Sequence, residues 1–277
     1  MAARRTGSAG QIDLAEKSKE IRRDAFLMCH RAKSGHLGSA FSIVDLLVTL
    51  YFRYLRIDPK NPQDPDRDRF ILSKGHGCSV LYTTLAHAGF FPKAWLETFI
   101  QDGSRFPGHP SSKLLPGIEA STGSLGHGLN IGVGMAIAAK RAKQKYRTVV
   151  VISDGECDEG SVWEAVLSAG NWHLGGLTCI VDYNKIQSFG RTKDIQDLEP
   201  FAEKWRSFKW HVQEIDGHNH EEILAALKKT DDVKDQPRVI IAHTVKGKGV
   251  SFMEDTVDWH YWSPNEEHCK QALLELQ

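Results

Sequence analysis

Oxygen-bearing side chains follow two apolar runs of this sequence. Asp154 comes just after the run VVVI at 149–152, and Asn184 comes just after the run LTCIV at 177–181, thirty residues farther along. Carboxylate and amide oxygens are the ligands that Mg²⁺ and Ca²⁺ prefer, together with phosphate oxygens and main-chain carbonyls. Either side chain alone is more typical of a cap or a turn, because Asp and Asn bond readily to nearby backbone. Together they predict a divalent-metal site that also takes up phosphate.

Histidines that directly follow a glycine are a second chemical signal. Five of the 13 histidines do so, where random placement among 24 glycines in 277 residues gives about one; they are His36, His76, His109, His127 and His218. Glycine allows a tight turn, and the imidazole beside it can present two ring nitrogens to a polar ligand. A single histidine is more often a surface or core residue. We interpret His218 as structural, and the group as an indication of one shared site.

The elements that must position these residues alternate between strands and helices. The run 149–152 predicts a strand buried on both faces, because a half-exposed strand would alternate polar with apolar residues. Further strands are predicted at RFILSKGHG, as a short strand ending in Gly and His, and at LTCIVD, HVQEI and RVIIAHT. Helices are predicted around 21–29, from Ser42 as N-cap onward, within 122–143 and over 160–172. The alternation predicts an α/β fold with a doubly wound, mostly parallel sheet flanked by helices. In such sheets ligands bind at the carboxyl ends of the strands.

The pattern indicates one domain. Because no internal repeat or linker interrupts it, residues 11–277 are predicted to form a single α/β domain after a flexible tail at 1–10. Gly126, Gly132 and Gly134 weaken the helix within 122–143, which predicts that a packed helix or a cofactor approaches its backbone closely.

Composition narrows the classes of partner. The 35 basic and 35 acidic residues give a formal net charge of zero, so there is no electrostatic footprint for nucleic acid or an anionic membrane, although 246–248 could form a local basic patch. The five cysteines lie far apart without a CxxC pair, which argues against a disulfide framework or a zinc site. We find no signal-peptide core and no long apolar run. The sequence predicts a cytoplasmic protein with small-molecule or protein partners.

The acidic segment also carries a family resemblance. "SDGECDEG" followed by "DYNKIQ" resembles the thiamine-diphosphate motif of the transketolase family, which is usually Gly-Asp-Gly and then Asn about thirty residues later. The segments "AKSGHLGSA", "DRDRFILSKGHG", "PGHP", "TGSLGHGLNIGVGMAIA", "IDGH" and "TVKGKG...WH" resemble consecutive transketolase segments in the same order. The resemblance starts near Ala15 and covers nearly the whole chain. It implies the diphosphate-binding (PP-type) domain of that family.

The resemblance assigns roles in cofactor and metal binding. It implies that Asp154, Asn184 and the Ile186 carbonyl bind Mg²⁺, or Ca²⁺ or Mn²⁺ in its place. Gly155 then lets the backbone approach the diphosphate. Further contacts to thiamine diphosphate are implied for His76, Gly123, Leu125 and Glu156.

Other matched positions concern the substrate and the subunit interface. His36, His109 and His260 match histidines that line the family's substrate channel, where imidazoles can orient sugar hydroxyls and assist proton transfer. Glu159 and Glu164 match catalytic acids at the family's subunit interface, and the alternative for them is an ordinary exposed helix start.

Some positions depart from the family pattern. Ser153 replaces the first glycine of the motif, Tyr183 stands where Asn or Asp is usual, and His127 stands where many members have glutamine. "WHYWSP" differs from the usual His-Gly, which predicts a channel near His260 shaped for an atypical sugar.

The resemblance implies a function and a partner. The family's enzymes continue into a pyrimidine-binding domain and a C-terminal domain, and this chain does not reach them. We therefore expect the N-terminal subunit of a split transketolase, joined by a separate C-terminal subunit in an α2β2 heterotetramer. It would transfer a two-carbon ketol unit from a phosphorylated or otherwise anionic ketose to an aldose. The alternatives are an enzyme like deoxyxylulose-phosphate synthase, a transketolase for a modified sugar, and a non-catalytic regulatory subunit.

Overall fold

Five parallel strands form one sheet within residues 12–277, in the order β1-β2-β3-β5-β4. The computed structural model describes residues 12–277, so the tail predicted at 1–10 lies outside the described residues. The strands are β1 (Arg69–Leu72), β2 (Thr148–Ser153), β3 (Leu177–Tyr183), β4 (His211–Asp216) and β5 (Arg238–His243). All five match predicted strands, and the predicted parallel α/β sheet is confirmed.

Helices cover both faces of this sheet. They are α1 (Leu14–Ala32), α2 (Leu37–Phe41), α3 (Val44–Thr49), α4 (Cys78–Ala88), α5 (Gly128–Ala142), α6 (Gly160–Asn171), α7 (Thr192–Ile195), α8 (Phe201–Ser207), α9 (His220–Thr230) and α10 (Glu266–Glu275). Alternate residues of β2 enter two separate apolar cores, with Val149 and Val151 in one and Val150 and Ile152 in the other. The strand is therefore buried on both faces, as its unbroken apolar run predicts.

The most apolar segment lies inside the first of these cores. Residues Leu37–Tyr54 form a largely helical stretch of 18 residues with a mean hydropathy of 1.2, long and apolar enough by composition to cross a membrane. The expectation of no long apolar run is therefore wrong. Of this stretch 89% is buried within the fold, as in the core helix of a globular protein.

The boundary predicted within this segment is also wrong. Ser42 does not cap a helix, because α2 already begins at Leu37 and α3 begins at Val44. The Ser42 hydroxyl instead donates to the Asp182 carboxylate at 2.6 Å, and its oxygen lies 3.0 Å from the Ser39 carbonyl oxygen. Ser42 thus ties the α2–α3 junction to the carboxyl end of β3.

The three glycines in and before α5 differ in what surrounds their backbone. At Gly132 a Cβ would lie 2.5 Å from Cγ2 of Val150, so α5 packs directly on β2, and the predicted close approach is confirmed with the sheet as the neighbour. Gly126 precedes the helix at a φ of +78°, and a Cβ there would collide with the Ser161 hydroxyl. At Gly134 nothing in the described residues lies within 4 Å of the Cβ position, so the prediction is wrong for that residue.

Candidate active site

Three strand ends and three loops enclose a cavity of about 260 Å³ at the carboxyl edge of the sheet. The residues after β1, β2 and β3 form its floor, since neighbouring parallel strands end side by side. Ten of the thirteen predicted site residues line it, namely His36, His76, His109, Gly123, Leu125, Asp154, Gly155, Asn184, Ile186 and His260. Residues more than 200 positions apart in sequence therefore meet at one place.

The predicted metal ligands lie on two adjacent loops of this cavity. Asp154 follows β2, where its Oδ1 accepts a hydrogen bond from the Gly155 N–H at 2.8 Å and its Oδ2 accepts one from the Lys185 N–H. The Asn184 Oδ1 accepts from the Ile186 N–H at 3.0 Å. Within residues 12–277 no hydrogen bond reaches the Ile186 carbonyl oxygen. The loops thus offer a carboxylate, an amide oxygen and a main-chain carbonyl.

This donor set fits a divalent cation. Burial, with the charge of Asp182 nearby, raises the pKa of Asp154 to about 7, so the ionised carboxylate lacks compensation. No Lys, Arg or His in the described part of the chain forms an ion pair with it. Within residues 12–277, no three His, Cys, Asp or Glu side chains lie close enough together to hold a metal ion by themselves. The oxygens of Asp154, Asn184 and the Ile186 carbonyl include only one carboxylate. They leave coordination positions of the metal open for phosphate oxygens of a ligand, as is common at Mg²⁺ sites.

We expect the ligand-free chain to lose stability between pH 6 and 8 because of Asp154. An unfolded aspartate ionises near pH 3.8, whereas the folded chain holds this proton up to about pH 7. The folded state therefore binds more protons in this window, and that contribution to stability disappears as the pH rises through 7. Asp154→Asn cannot ionise and should gain about 1 kcal/mol over wild type between pH 6 and 8. Urea unfolding measures this; the same wild-type-to-variant difference at both pH values would contradict it.

Three imidazoles form a triangle above the metal ligands. The ring centroids of His36, His76 and His260 lie 5.3 to 5.5 Å apart. The His36 backbone has a left-handed φ of 66°, and its N–H donates to the His260 carbonyl at 3.0 Å, which joins the two loops. Burial lowers the pKa of all three rings, and neighbouring lysines act in the same direction. The rings are therefore neutral near pH 7 and can both donate and accept hydrogen bonds.

The contact between His260 and Lys246 fixes which ring nitrogen carries the proton. Lys246 Nζ lies 3.2 Å from His260 Nδ1. Burial, followed by the charge of Lys74, lowers the pKa of Lys246 to about 8, so the amine is mostly protonated at pH 7. An ammonium can only donate, so Nδ1 accepts and the proton of His260 resides on Nε2. Lys246 is fully buried here, so the basic patch expected at 246–248 is wrong for that residue.

A buried ion pair supports the cavity floor. Lys74 and Asp182 are both fully buried, and Lys74 Nζ donates to the Asp182 carboxylate at 2.5 Å and to the Ser39 carbonyl at 2.8 Å. The same carboxylate accepts from Asn184 Nδ2 at 2.9 Å and from the Thr244 hydroxyl. Removing one member of a buried pair leaves an uncompensated charge, at a cost of roughly 3–5 kcal/mol. Asp182 therefore holds together the segments that follow β1, β3 and β5.

Gly123 allows the loop bearing His109 to close over the cavity. Its φ is +136°, and a Cβ at this position would lie 2.7 Å from Cδ2 of His109. The ring of His109 thus rests on the Gly123 backbone, which only a glycine leaves open.

Three predicted site residues lie outside the cavity wall. Glu156 is fully buried, and its carboxylate accepts hydrogen bonds from the Ser73 hydroxyl and from the N–H groups of Gly126 and Ser153. These bonds indicate that Glu156 supports the motif loop rather than contacting a ligand. Glu159 and Glu164 are exposed around the start of α6, and within residues 12–277 neither carboxylate forms an ion pair. Their predicted interface role stays a prediction.

Sequence reasoning missed several residues of the site. Lys74 lies in the segment "SKGHG" beside the predicted His76, and Asp182 lies two residues before Asn184. Their positions next to assigned residues were the available signal. Tyr261 also lines the cavity, with its ring centroid 4.7 Å from that of His260. It belongs to the "WHYWSP" segment that departs from the family pattern.

Comparison with protein families adds a decisive observation. The family described as "Transketolase, thiamine diphosphate binding domain" matches residues 15–274. The chain belongs to the transketolase family. The predicted family and its thiamine-diphosphate-binding domain are thereby confirmed.

Relatives within the transketolase family include chains of the same length. The sequence is 43% identical to the 6-deoxy-6-sulfo-D-fructose transketolase subunit SqwG of a Clostridium species, over 98% of each chain. It is 39% identical to an apulose-4-phosphate transketolase subunit of Phocaeicola vulgatus, over 96% of this chain and 95% of that one. Because these transketolases of matching length are themselves subunits, the predicted N-terminal transketolase subunit is confirmed.

Longer transketolases contain this fold as one part. The transketolase of Leishmania mexicana superposes with a TM-score of 0.92 at 31% identity, over 96% of this chain and 41% of that chain. Human transketolase is 35% identical over 95% of this chain and 42% of its own length. The chain thus spans about two fifths of the solved transketolases that it matches.

Proposed function

We propose that this protein is the N-terminal, cofactor-binding subunit of a two-component transketolase. It transfers a two-carbon ketol unit from an anionic ketose to an aldose, using thiamine diphosphate and Mg²⁺, in the cytoplasm. A separate subunit with the pyrimidine-binding domain completes it as an α2β2 heterotetramer. The observation that carries this proposal is the convergence of ten predicted site residues on one cavity.

The relatives support the two-carbon transfer and the kind of sugar. Two subunits of matching length are named for 6-deoxy-6-sulfo-D-fructose and for apulose-4-phosphate, and both of these sugars carry an anionic group. These names favour a transketolase over a deoxyxylulose-phosphate synthase. Tyr261, which belongs to the altered segment, lines the cavity beside His260, and this supports a sugar other than the common pentose phosphates.

The residues of the cavity divide the work of holding the cofactor. Asp154, Asn184 and the Ile186 carbonyl would hold the metal, and His76 and Gly155 would receive the diphosphate. Thiamine diphosphate, when bound, would supply the nucleophilic carbon needed for two-carbon transfer between sugars. The buried Lys74–Asp182 pair keeps Asn184 in place, because Asp182 accepts a hydrogen bond from the Asn184 amide.

The remaining imidazoles act on the sugar. The Nε2–H of His260 has no partner in the described residues, since Nδ1 takes the contact with Lys246. It is therefore the donor available to a sugar carbonyl or hydroxyl oxygen. His36 shares the same triangle, and His109 closes over it from the third loop. The neutral rings of His36 and His260 can donate a hydrogen bond to a sugar oxygen or accept a proton from one.

Alanine variants of His36, His109 and His260 should keep cofactor affinity and lose turnover. Removing proton-transfer help lowers kcat by roughly ten- to ten-thousand-fold, whereas the metal and diphosphate contacts stay in place. Calorimetry of thiamine diphosphate with Mg²⁺ gives the affinity, and product analysis with defined ketose donors gives the turnover. His173→Ala, which changes an exposed histidine outside the cavity, is the matched control. Wild-type turnover in all three variants would refute the role, and the absence of any two-carbon product from the assembled wild type would refute the proposed function.

A further inference from the structure

A second cavity, of about 390 Å³, opens at the amino ends of the strands, across the sheet from the first one. Arg147 precedes β2, Gly176 precedes β3 and Arg238 begins β5, so the cavity lies where these strands start. Its charged lining residues are Arg56, Lys145, Arg147, Asp231, Lys234 and Arg238. Five cations therefore face one carboxylate.

The carboxylates nearby neutralise only part of this charge. The buried Asp68 pairs with Arg56 at 2.9 Å and with Arg147 at 2.6 Å, and Asp231 pairs with Arg147 at 3.1 Å. In the part of the chain that the structure describes, no carboxylate lies within 4.0 Å of the charged groups of Lys145, Lys234 or Arg238. The cavity thus keeps an excess of positive charge that favours an anion.

Arg238 is the least satisfied of these cations. Its side chain is among the largest fully buried ones, yet its Nε has no hydrogen-bond partner in residues 12–277. Among the described residues, its guanidinium makes one hydrogen bond, a long contact from Nη1 to the Val233 carbonyl at 3.4 Å. Burial lowers the pKa of Arg238, and the charge of Asp231 opposes this effect without reversing it. An anion beside this group would compensate a charge that the protein itself leaves unpaired.

The neighbours of Arg238 in the sheet show the same deficit. In the strand register Arg238 lies opposite Thr178 of β3 and opposite His211 of β4, so the three side chains share one face. Thr178 Oγ1 and His211 Nε2 also lack partners within the described chain. A buried polar atom left unpaired costs about 1–3 kcal/mol, and native proteins satisfy nearly all of them. Of these three residues only Arg238 lines the cavity, so its unpaired Nε is the atom that a ligand there could satisfy.

We propose that this second cavity is a binding site for a phosphate group, free or on a small ester, with Arg238 as its anchor and Lys145 and Lys234 beside it. The planar guanidinium matches the geometry of phosphate oxygens and can bind two of them at once. The lysines add charge at the entrance. This site is separate from the cofactor cavity and does not depend on the proposed reaction.

Thermal unfolding of the full chain in inorganic phosphate tests the site. Sodium chloride at the same ionic strength corrects for screening. Saturable stabilisation by phosphate is expected in wild type, and Arg238→Met and Lys145→Ala should each weaken it by about tenfold or more. Lys270→Ala, an exposed lysine outside the cavity, and His76→Ala, in the other cavity, should leave it unchanged. If Arg238→Met does not fold, the exposed Lys145→Ala carries the test.

Three results would overturn the proposal. The first is stabilisation by phosphate that is no larger than stabilisation by chloride. The second is undiminished stabilisation by phosphate in Lys145→Ala and in Arg238→Met, if that variant folds. The third is loss of this stabilisation in His76→Ala. Glycerol phosphate in a parallel titration distinguishes the two sources of the group. Tighter binding of the ester than of phosphate assigns the site to a phosphate ester, and weaker binding assigns it to free phosphate.

Discussion

The purified chain alone should catalyse no measurable ketol transfer, and activity should appear when the subunit with the pyrimidine-binding domain is added. The cavity described above offers ligands for the metal and for the diphosphate, and the diphosphate is one end of the cofactor. In the family the other end is bound and activated by a second domain, and this chain matches only 41% of a solved transketolase. Because the isolated chain cannot activate the cofactor, we expect it to have no ketol-transfer activity at all.

The exposed acids near α6 offer a second way to check this dependence. Glu159 and Glu164 have no ion-pair partner in residues 12–277, and Gly126 packs against Glu159 at the edge of the motif. We expect them to meet the second subunit, so Glu159→Gln and Glu164→Gln should weaken assembly or activity while the isolated chain stays folded. Assays at saturating thiamine diphosphate and Mg²⁺, before and after addition of the partner, measure the effect. Substantial transfer by the chain alone would overturn the two-component proposal.

Asp154→Ala should abolish metal-dependent binding of thiamine diphosphate. The variant removes the only carboxylate of the predicted ligand set, so the metal no longer offsets the charge of the diphosphate. The fold should persist, because the change also removes a buried charge whose pKa burial has raised to about 7. Binding and folding are therefore separable in this variant.

Calorimetry with and without Mg²⁺ measures the loss, and circular dichroism confirms the fold. Asp194→Ala, at an exposed aspartate of α7, is the matched control and should bind like wild type. A folded Asp154→Ala chain with unchanged affinity in the presence of Mg²⁺ would show that the metal assignment is wrong.

The parts of the site that follow from strand ends are predictable from the sequence alone. Unbroken apolar runs mark β2 and β3, and parallel neighbours end at one edge, so the pattern itself places Asp154 near Asn184. The loop histidines are recognisable because His36 and His76 each follow a glycine. Their convergence with His260 depends on long-range packing, for which the sequence contributes only the family resemblance.

The parts that escaped prediction are buried polar contacts. Lys74 and Asp182 look like ordinary charged residues in sequence, and only the fold shows that each satisfies the other. Ser42 has the residue type of an N-cap, yet the Asp182 carboxylate offers its hydroxyl a buried partner instead. Tertiary hydrogen bonds of this kind override local preferences, since a buried unpaired group costs more than a cap contributes.

Residues near both ends of the chain, from His36 to Tyr261, line the cavity. Strand β1 pairs with β2, which lies more than seventy residues farther along the chain. During synthesis the apolar segment Leu37–Tyr54 and β1 leave the ribosome well before β2, so they have no sheet to pack against for many seconds. Contacts so distant in sequence also close slowly. We therefore expect the nascent chain to expose apolar surface of the kind that chaperones bind, and a chain that ends before Tyr261 lacks part of the cavity wall.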